Sequence, residues 1–210
     1  MSLENLSANA LVVVYSLPAL PIFCAGWFSQ IRADRRVRKL TDVDAEVRSD
    51  AALAAFLQEV DLTDVEVVKS DNYMQNEYDA AENKIFLSPD TLGRRDVASV
   101  ALALRAGAQA VAERREPEKP RRVRTLHAVE NVSFWGAFGV LAFGIMSSTL
   151  ATTILGYALA AFVWALWRIR VKILREIDAV ALKFAKNDAS IPDATARGVE
   201  EVLAAERVKF

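Results

Sequence analysis

The sequence predicts an α-rich membrane protein in which three transmembrane helices carry a small cytoplasmic α+β domain. Two observations set the membrane part. Ala10 to Ile31 and Val132 to Trp167 contain no charged residue, and basic runs adjoin them, RADRRVRK after the first and Arg168, Arg170, Lys172 and Arg175 after the second. The third observation is that the residues between these runs mix helical and strand periodicities at ordinary polarity. Hydrophobic residues make up 53% of the 210, more than a soluble domain of this length carries, and the excess sits in those blocks.

The first span is read over residues 10–31, long enough as a helix for a hydrocarbon core of about 30 Å, with Pro18 and Pro21 kinking it. Before it stands Glu4 and no Lys or Arg, so the charge bias places the N-terminus outside and the soluble domain in the cytoplasm. A cleaved signal peptide is the competing reading, and it lacks a basic leading region. The second apolar run is 36 residues long; as one helix it would measure roughly 54 Å. It is therefore expected to fold back near Ser147 to Thr149, giving spans at 132–149 and 150–168 with both ends cytoplasmic. Trp27, Trp135, Trp164 and Trp167 all fall at the expected cytoplasmic ends, where an indole keeps its ring in lipid and its N–H wet. No ionisable residue lies inside these spans, which argues against a transporter or proton path.

Residues 32–128 read as the cytoplasmic domain. Ser49 or Asp50 is expected to cap a helix through Ala51 to Val60. Val65 to Lys69 and Lys84 to Ser88, rich in Val, Ile and Phe, read as strands. Gly93 to Val111 reads as a helix with a short lead-in, because Val97, Val100, Ala101, Leu104, Ala108 and Val111 share one face. Glu113 to Arg124, with six basic and three acidic residues and two prolines, reads as a charged linker that signals topology; an anionic-lipid patch is the alternative. Residues 169–210 read as cytoplasmic helices, broken at Asn187 to Pro192, that pack on the domain.

The helix at Gly93 to Val111 resembles the segment G-R-x(9)-H-E-x-G-H of the membrane-bound neutral zinc metallopeptidases of the YugP type. Gly93, Arg94 and Gly107 match, whereas Leu104, Arg105 and Ala108 stand at the positions of the two histidines and the glutamate. Met74-Gln-Asn-Glu-Tyr-Asp-Ala is similar to that family's L-T-D-H-Y-D-P, with Glu77 at the histidine, and Lys84 to Ser88 to its K-x-x-x-LS. Glu176-Ile-Asp178-Ala179 is similar to E-F-D-A-S, and the resemblance implies that Glu176 stands at a third zinc ligand. Gly198-Val-Glu-Glu-Val-Leu-Ala-Ala is similar to the closing helix. The resemblance therefore implies a zincin-like cytoplasmic domain whose former zinc site is Leu104, Arg105, Ala108 and Glu176, in a bacterial inner-membrane protein.

Chemistry gives the same reading. In an HExxH site two imidazoles one helical turn apart bind zinc while the carboxylate serves as general base. Leucine and alanine have no donor for zinc, and arginine stays protonated and repels a cation. The chain holds one histidine, His127, and one cysteine, Cys24, so no alternative nitrogen or sulfur site can be assembled. No metal or other cofactor and no catalytic residue is expected. Arg105 is expected either to pair with Glu176 or Asp178, bridging two helices in place of the metal, or to stand solvated. Lys84, Ile85, Phe86, Leu87 and Ser88 are the strand to which a partner's peptide would pair, or else an ordinary edge.

A net charge of −1 argues against nucleic acid. The expected partners are other membrane proteins and lipid. The function expected is that of a catalytically inactive metallopeptidase homologue acting as a structural or accessory subunit of a membrane complex. The alternative is a regulator that binds a protease or its peptides through the former groove.

Overall fold

The computed structural model describes residues 19–72, 75–147 and 150–208. Its elements in chain order are α1 (Ala19–Leu40), α2 (Ser49–Glu59), β1 (Glu66–Lys69), β2 (Asn76–Asp79), β3 (Lys84–Leu87), α3 (Val97–Arg115), α4 (Glu118–Met146), α5 (Leu150–Asn187) and α6 (Asp193–Arg207). The chain divides into two units, one of residues 1–29 and 122–171, the other of residues 30–121 and 172–210.

The prediction of three transmembrane helices is corrected here. Among the described residues one helix, over Ala151–Asn187, is long and apolar enough to cross a membrane, with a mean hydropathy of 1.5 in its best window. Only 17% of that window is buried within the protein, so it is no core helix. The expected second span is the distal half of α4, which begins among the charges at Glu118. Its charge-free part, from Asn131 to Met146, measures about 24 Å at 1.5 Å per residue, short of the ~20 residues a span needs. Of the expected first span, residues 10–18 lie outside the described residues. The rest opens α1, which continues through Arg32, Arg35, Arg36, Arg38 and Lys39.

In the first unit the distal half of α4 and the proximal half of α5 form an antiparallel hairpin. Two glycines set its approach: a Cβ on Gly144 would lie 2.6 Å from the Thr153 backbone nitrogen, and one on Gly156 would lie 2.8 Å from Leu141 Cα. At the open end Arg170 Nε donates to Glu130 Oε2 at 2.8 Å, both residues being buried.

The second unit is built around α3. Asp96 caps it, its carboxylate accepting from the Ser99 backbone N–H at 2.8 Å, which satisfies an otherwise orphan donor of the first turn. Helices α2 and α6 and the sheet all pack on α3. The sheet order is β1-β3-β2, with β3 parallel to β1 and antiparallel to β2. Strand β2 was not expected, since Asn-Glu-Tyr-Asp carries no strand pattern; pairing with β3 and contact with α3 hold it. The cap of α2 is Arg48, with no side-chain bond, rather than Ser49 or Asp50. The Ser49 hydroxyl is spent on the Thr91 carbonyl at 2.5 Å. The expected charged linker is largely helical: α3 continues to Arg115 and α4 begins at Glu118. Pro120 falls in the first turn of α4, where a missing N–H costs nothing.

Candidate functional site

The positions singled out by the sequence fall on and around α3. Leu104 and Ala108, one turn apart, expose no surface. Helix α6 runs alongside α3 in the same direction: a Cβ on Gly198 would meet Val97 Cγ1 at 2.5 Å, and one stretch on, Glu206 Oε2 lies 3.4 Å from Arg105 Nη1. The face that begins at Val97 is thus covered by α6 as far as Arg105, and Val199, Val202 and Leu203 of α6 are fully buried.

Arg105 sits in a cluster of four charges contributed by three helices. Its Nε lies 3.6 Å from Asp178 Oδ1 on α5, and Arg207 Nε from α6 lies 3.0 Å from Asp178 Oδ2. Asp178 is the hub, its side chain only 2% exposed. Neither of its oxygens accepts an aligned hydrogen bond, and the Arg105 Nε–H is likewise unmatched. The cluster is charge-balanced but poorly hydrogen-bonded, so its ions keep much of their desolvation cost. Burial pushes the Asp178 carboxyl above its ordinary value, against the pull of Arg105 and Arg207 and with some help from Glu206. Burial likewise lowers Arg207, against the attraction of Asp178.

The two partners agree in direction, which yields a prediction. A carboxyl raised above its ordinary 3.8 contributes stability that is fully present below that value and is lost as pH rises through the raised one. Asp178→Asn, which keeps the shape and removes the charge, is expected to hold or raise the unfolding midpoint at pH 7, and its advantage to vanish as pH falls toward 4. Melting of both proteins in mild detergent across that range is the check. A large loss at pH 7 that shrinks on acidification would mean that the ionised network is net stabilising.

Glu176 is not in this cluster. Its Oε2 lies 3.1 Å from Lys119 Nζ, which also holds Glu116 at 2.8 Å. Of the residues expected to bridge helices, the structure brings Arg105 to Asp178 and leaves Glu176 apart. Glu206 and Arg207 were missed. The available signal was that Glu206 continues the Val199, Val202, Leu203 stripe of α6, so a charge occupies an apolar position.

The peptide-pairing strand is also corrected. Lys84–Leu87 is β3, the central strand, with β1 on one side and β2 on the other, so its backbone groups are taken and no peptide can add to it. The composition of Asn76–Asp79 hides the second neighbour, β2, that makes this strand central.

Zinc does not fit the residues at these three positions, Leu104, Arg105 and Ala108. Two of them are apolar side chains without exposed surface, and the third is a cation. Among the described residues, no three His, Cys, Asp or Glu side chains converge where they could hold a metal. A helix-rich unit with a small mixed sheet, organised around one buried helix and carrying an apolar hairpin, defines the class of protein. The family model described as "Putative neutral zinc metallopeptidase" matches residues 15–208, nearly the whole chain, and the chain belongs to that family. No curated protein and no solved structure matches it.

Proposed function

We propose that this chain is a membrane-anchored, catalytically inactive member of its family that acts as a structural or accessory subunit of a membrane protein complex. The observation that carries the reading is the set of side chains on the α3 face where the family resemblance would put metal ligands. Leu104 and Ala108 are sealed beneath neighbouring elements, and Arg105 is held against Asp178 and Glu206. Such a helix offers no open coordination position for a metal-bound water and no side chain able to accept its proton. Asp178 stands where α3, α5 and α6 meet, 3.6 Å from Arg105 Nε and 3.0 Å from Arg207 Nε.

Membrane anchorage is supported by the apolar, largely unburied window of α5. We place the protein in the bacterial inner membrane with the second unit in the cytoplasm, on the distribution of basic residues. The alternative role, a regulator that binds a protease or its peptides through the former groove, loses one support, peptide pairing to Lys84 to Ser88, with that strand at the centre of the sheet.

Purification of the full chain in mild detergent tests the proposal. Membrane proteins at fixed stoichiometry are expected to accompany it. A chain that comes out alone and turns over a peptide would overturn the reading.

A further inference from the structure

Resting on the membrane-anchored reading above, we infer that the α4–α5 hairpin enters the bilayer from one face and ends inside it, as a re-entrant wedge rather than a crossing. The hairpin's own register gives the depth. Gly144 meets Thr153, Leu141 meets Gly156 and Glu130 meets Arg170, so the two legs run antiparallel and Trp135 stands level with Trp164.

Both indoles are turned outward, 65% and 56% exposed. The Arg168 guanidinium lies over the Trp164 ring at 4.9 Å from its centroid. Just beyond that level lies the buried Glu130–Arg170 pair. An exposed tryptophan on each leg, with a cation on one of them, is the side-chain chemistry of the headgroup boundary.

Measured from that level to the tip, neither leg reaches across the core, although α5 taken with the residues beyond Trp164 is long and apolar enough to cross. Trp135 to Met146 is about 17 Å and Trp164 back to Leu150 about 21 Å at 1.5 Å per residue, against a hydrocarbon core of about 30 Å. Counted from the paired charges, Glu130 to Met146 is about 24 Å and Arg170 to Leu150 about 30 Å, so it is the tryptophans and not the charges that set the depth of the wedge. The surface beyond the tryptophans is apolar and outward, with Phe143, Met146, Ile154 and Leu155 all more than half exposed.

The tip is prepared for a site without water. Ser147 donates its hydroxyl to the Phe143 carbonyl at 2.7 Å, which satisfies the hydroxyl and one of the last carbonyls of α4 together. In hydrocarbon such groups must find partners within the protein. Every charged residue of the hairpin lies at its open end, so nothing resists insertion to this depth and nothing anchors the tip on the far face.

Cysteine accessibility on the full chain in sealed liposomes tests this. In a Cys24→Ala background, Ser147→Cys reports the tip and Ser190→Cys, in the exposed turn before α6, reports the second unit. A membrane-impermeant maleimide is added outside and then, after freeze–thaw, on both faces. The wedge predicts that Ser190→Cys is labelled while Ser147→Cys stays unlabelled from either face until detergent is added. Labelling of Ser147→Cys only from the face opposite Ser190→Cys would overturn the wedge and leave membrane anchorage standing. Labelling from the same face would overturn insertion itself. Brominated lipids give a second readout: a lone tryptophan at Trp135 is expected to be quenched best by shallow bromines and one at Met146→Trp by deep ones. Equal depths would contradict the wedge.

Discussion

Truncating Leu104 to alanine is expected to cost about 3 kcal/mol, within the range found for fully buried leucines, and to lower the unfolding midpoint by roughly 10 °C for a chain of this size. The reason is local: Leu104 exposes no surface, on a helix covered by α2, α6 and the sheet. Removing its side chain leaves a void that rigid neighbours can only partly close. In a metallopeptidase the same position would face the metal and the substrate cleft, and an apolar residue there would be nearly free to change. A loss below ~0.5 kcal/mol, the scale of a surface substitution, would place Leu104 at an open site and remove the ground for calling it packing.

Replacing Gly107 with leucine is expected to cost about as much by the opposite mechanism, about 3 kcal/mol of overpacking. A Cβ at Gly107 would already lie 2.7 Å from Phe56 Cδ1 and 2.9 Å from Leu53 Cδ1. Phe56 cannot retreat, being fully buried and set edge-on against Phe184 at 5.2 Å between centroids. The gain of about 1 kcal/mol that a helix draws from losing a glycine does not offset that. Space made on the other helix should restore part of the loss, so the Gly107→Ala/Phe56→Leu double variant is expected to be more stable than the sum of its single changes. Strict additivity would show that the two helices do not meet at this point. Gly107 is thus explained by helix packing, with no appeal to a catalytic motif.

The parts of the fold written in local chemistry were legible. The apolar stripe of α3 announced a buried helix, the valine and isoleucine runs announced β1 and β3, and the break before α6 was marked by Asn187 to Pro192. What was hidden depends on partners distant in the chain. Strand β2 has the composition of a loop and is a strand only because β3 and α3 hold it. Ser49 looks like a helix cap, but its hydroxyl bonds the Thr91 carbonyl instead. The prolines around Lys119 suggested a linker, but Pro120 in a first turn breaks nothing. The run of 36 uncharged residues has the length of two spans, but the hairpin's own register, which sets the outward tryptophans partway along each leg, is not encoded in that length. At the candidate site the apolar stripe holding Leu104 and Ala108 was legible, and both are buried. The identity of the Arg105 partners was not, because Glu206 and Asp178 reach it from helices whose alignment no local pattern encodes.

Metal content tests most directly the proposal that α3 packs rather than coordinates zinc. The full chain, purified in mild detergent after expression with zinc supplied, is measured for metal by elemental analysis and for peptide hydrolysis in the same preparation. The account predicts no stoichiometric zinc and no hydrolysis above that of buffer. One zinc per chain, or hydrolysis abolished by changing Glu77 or Glu176, would contradict it.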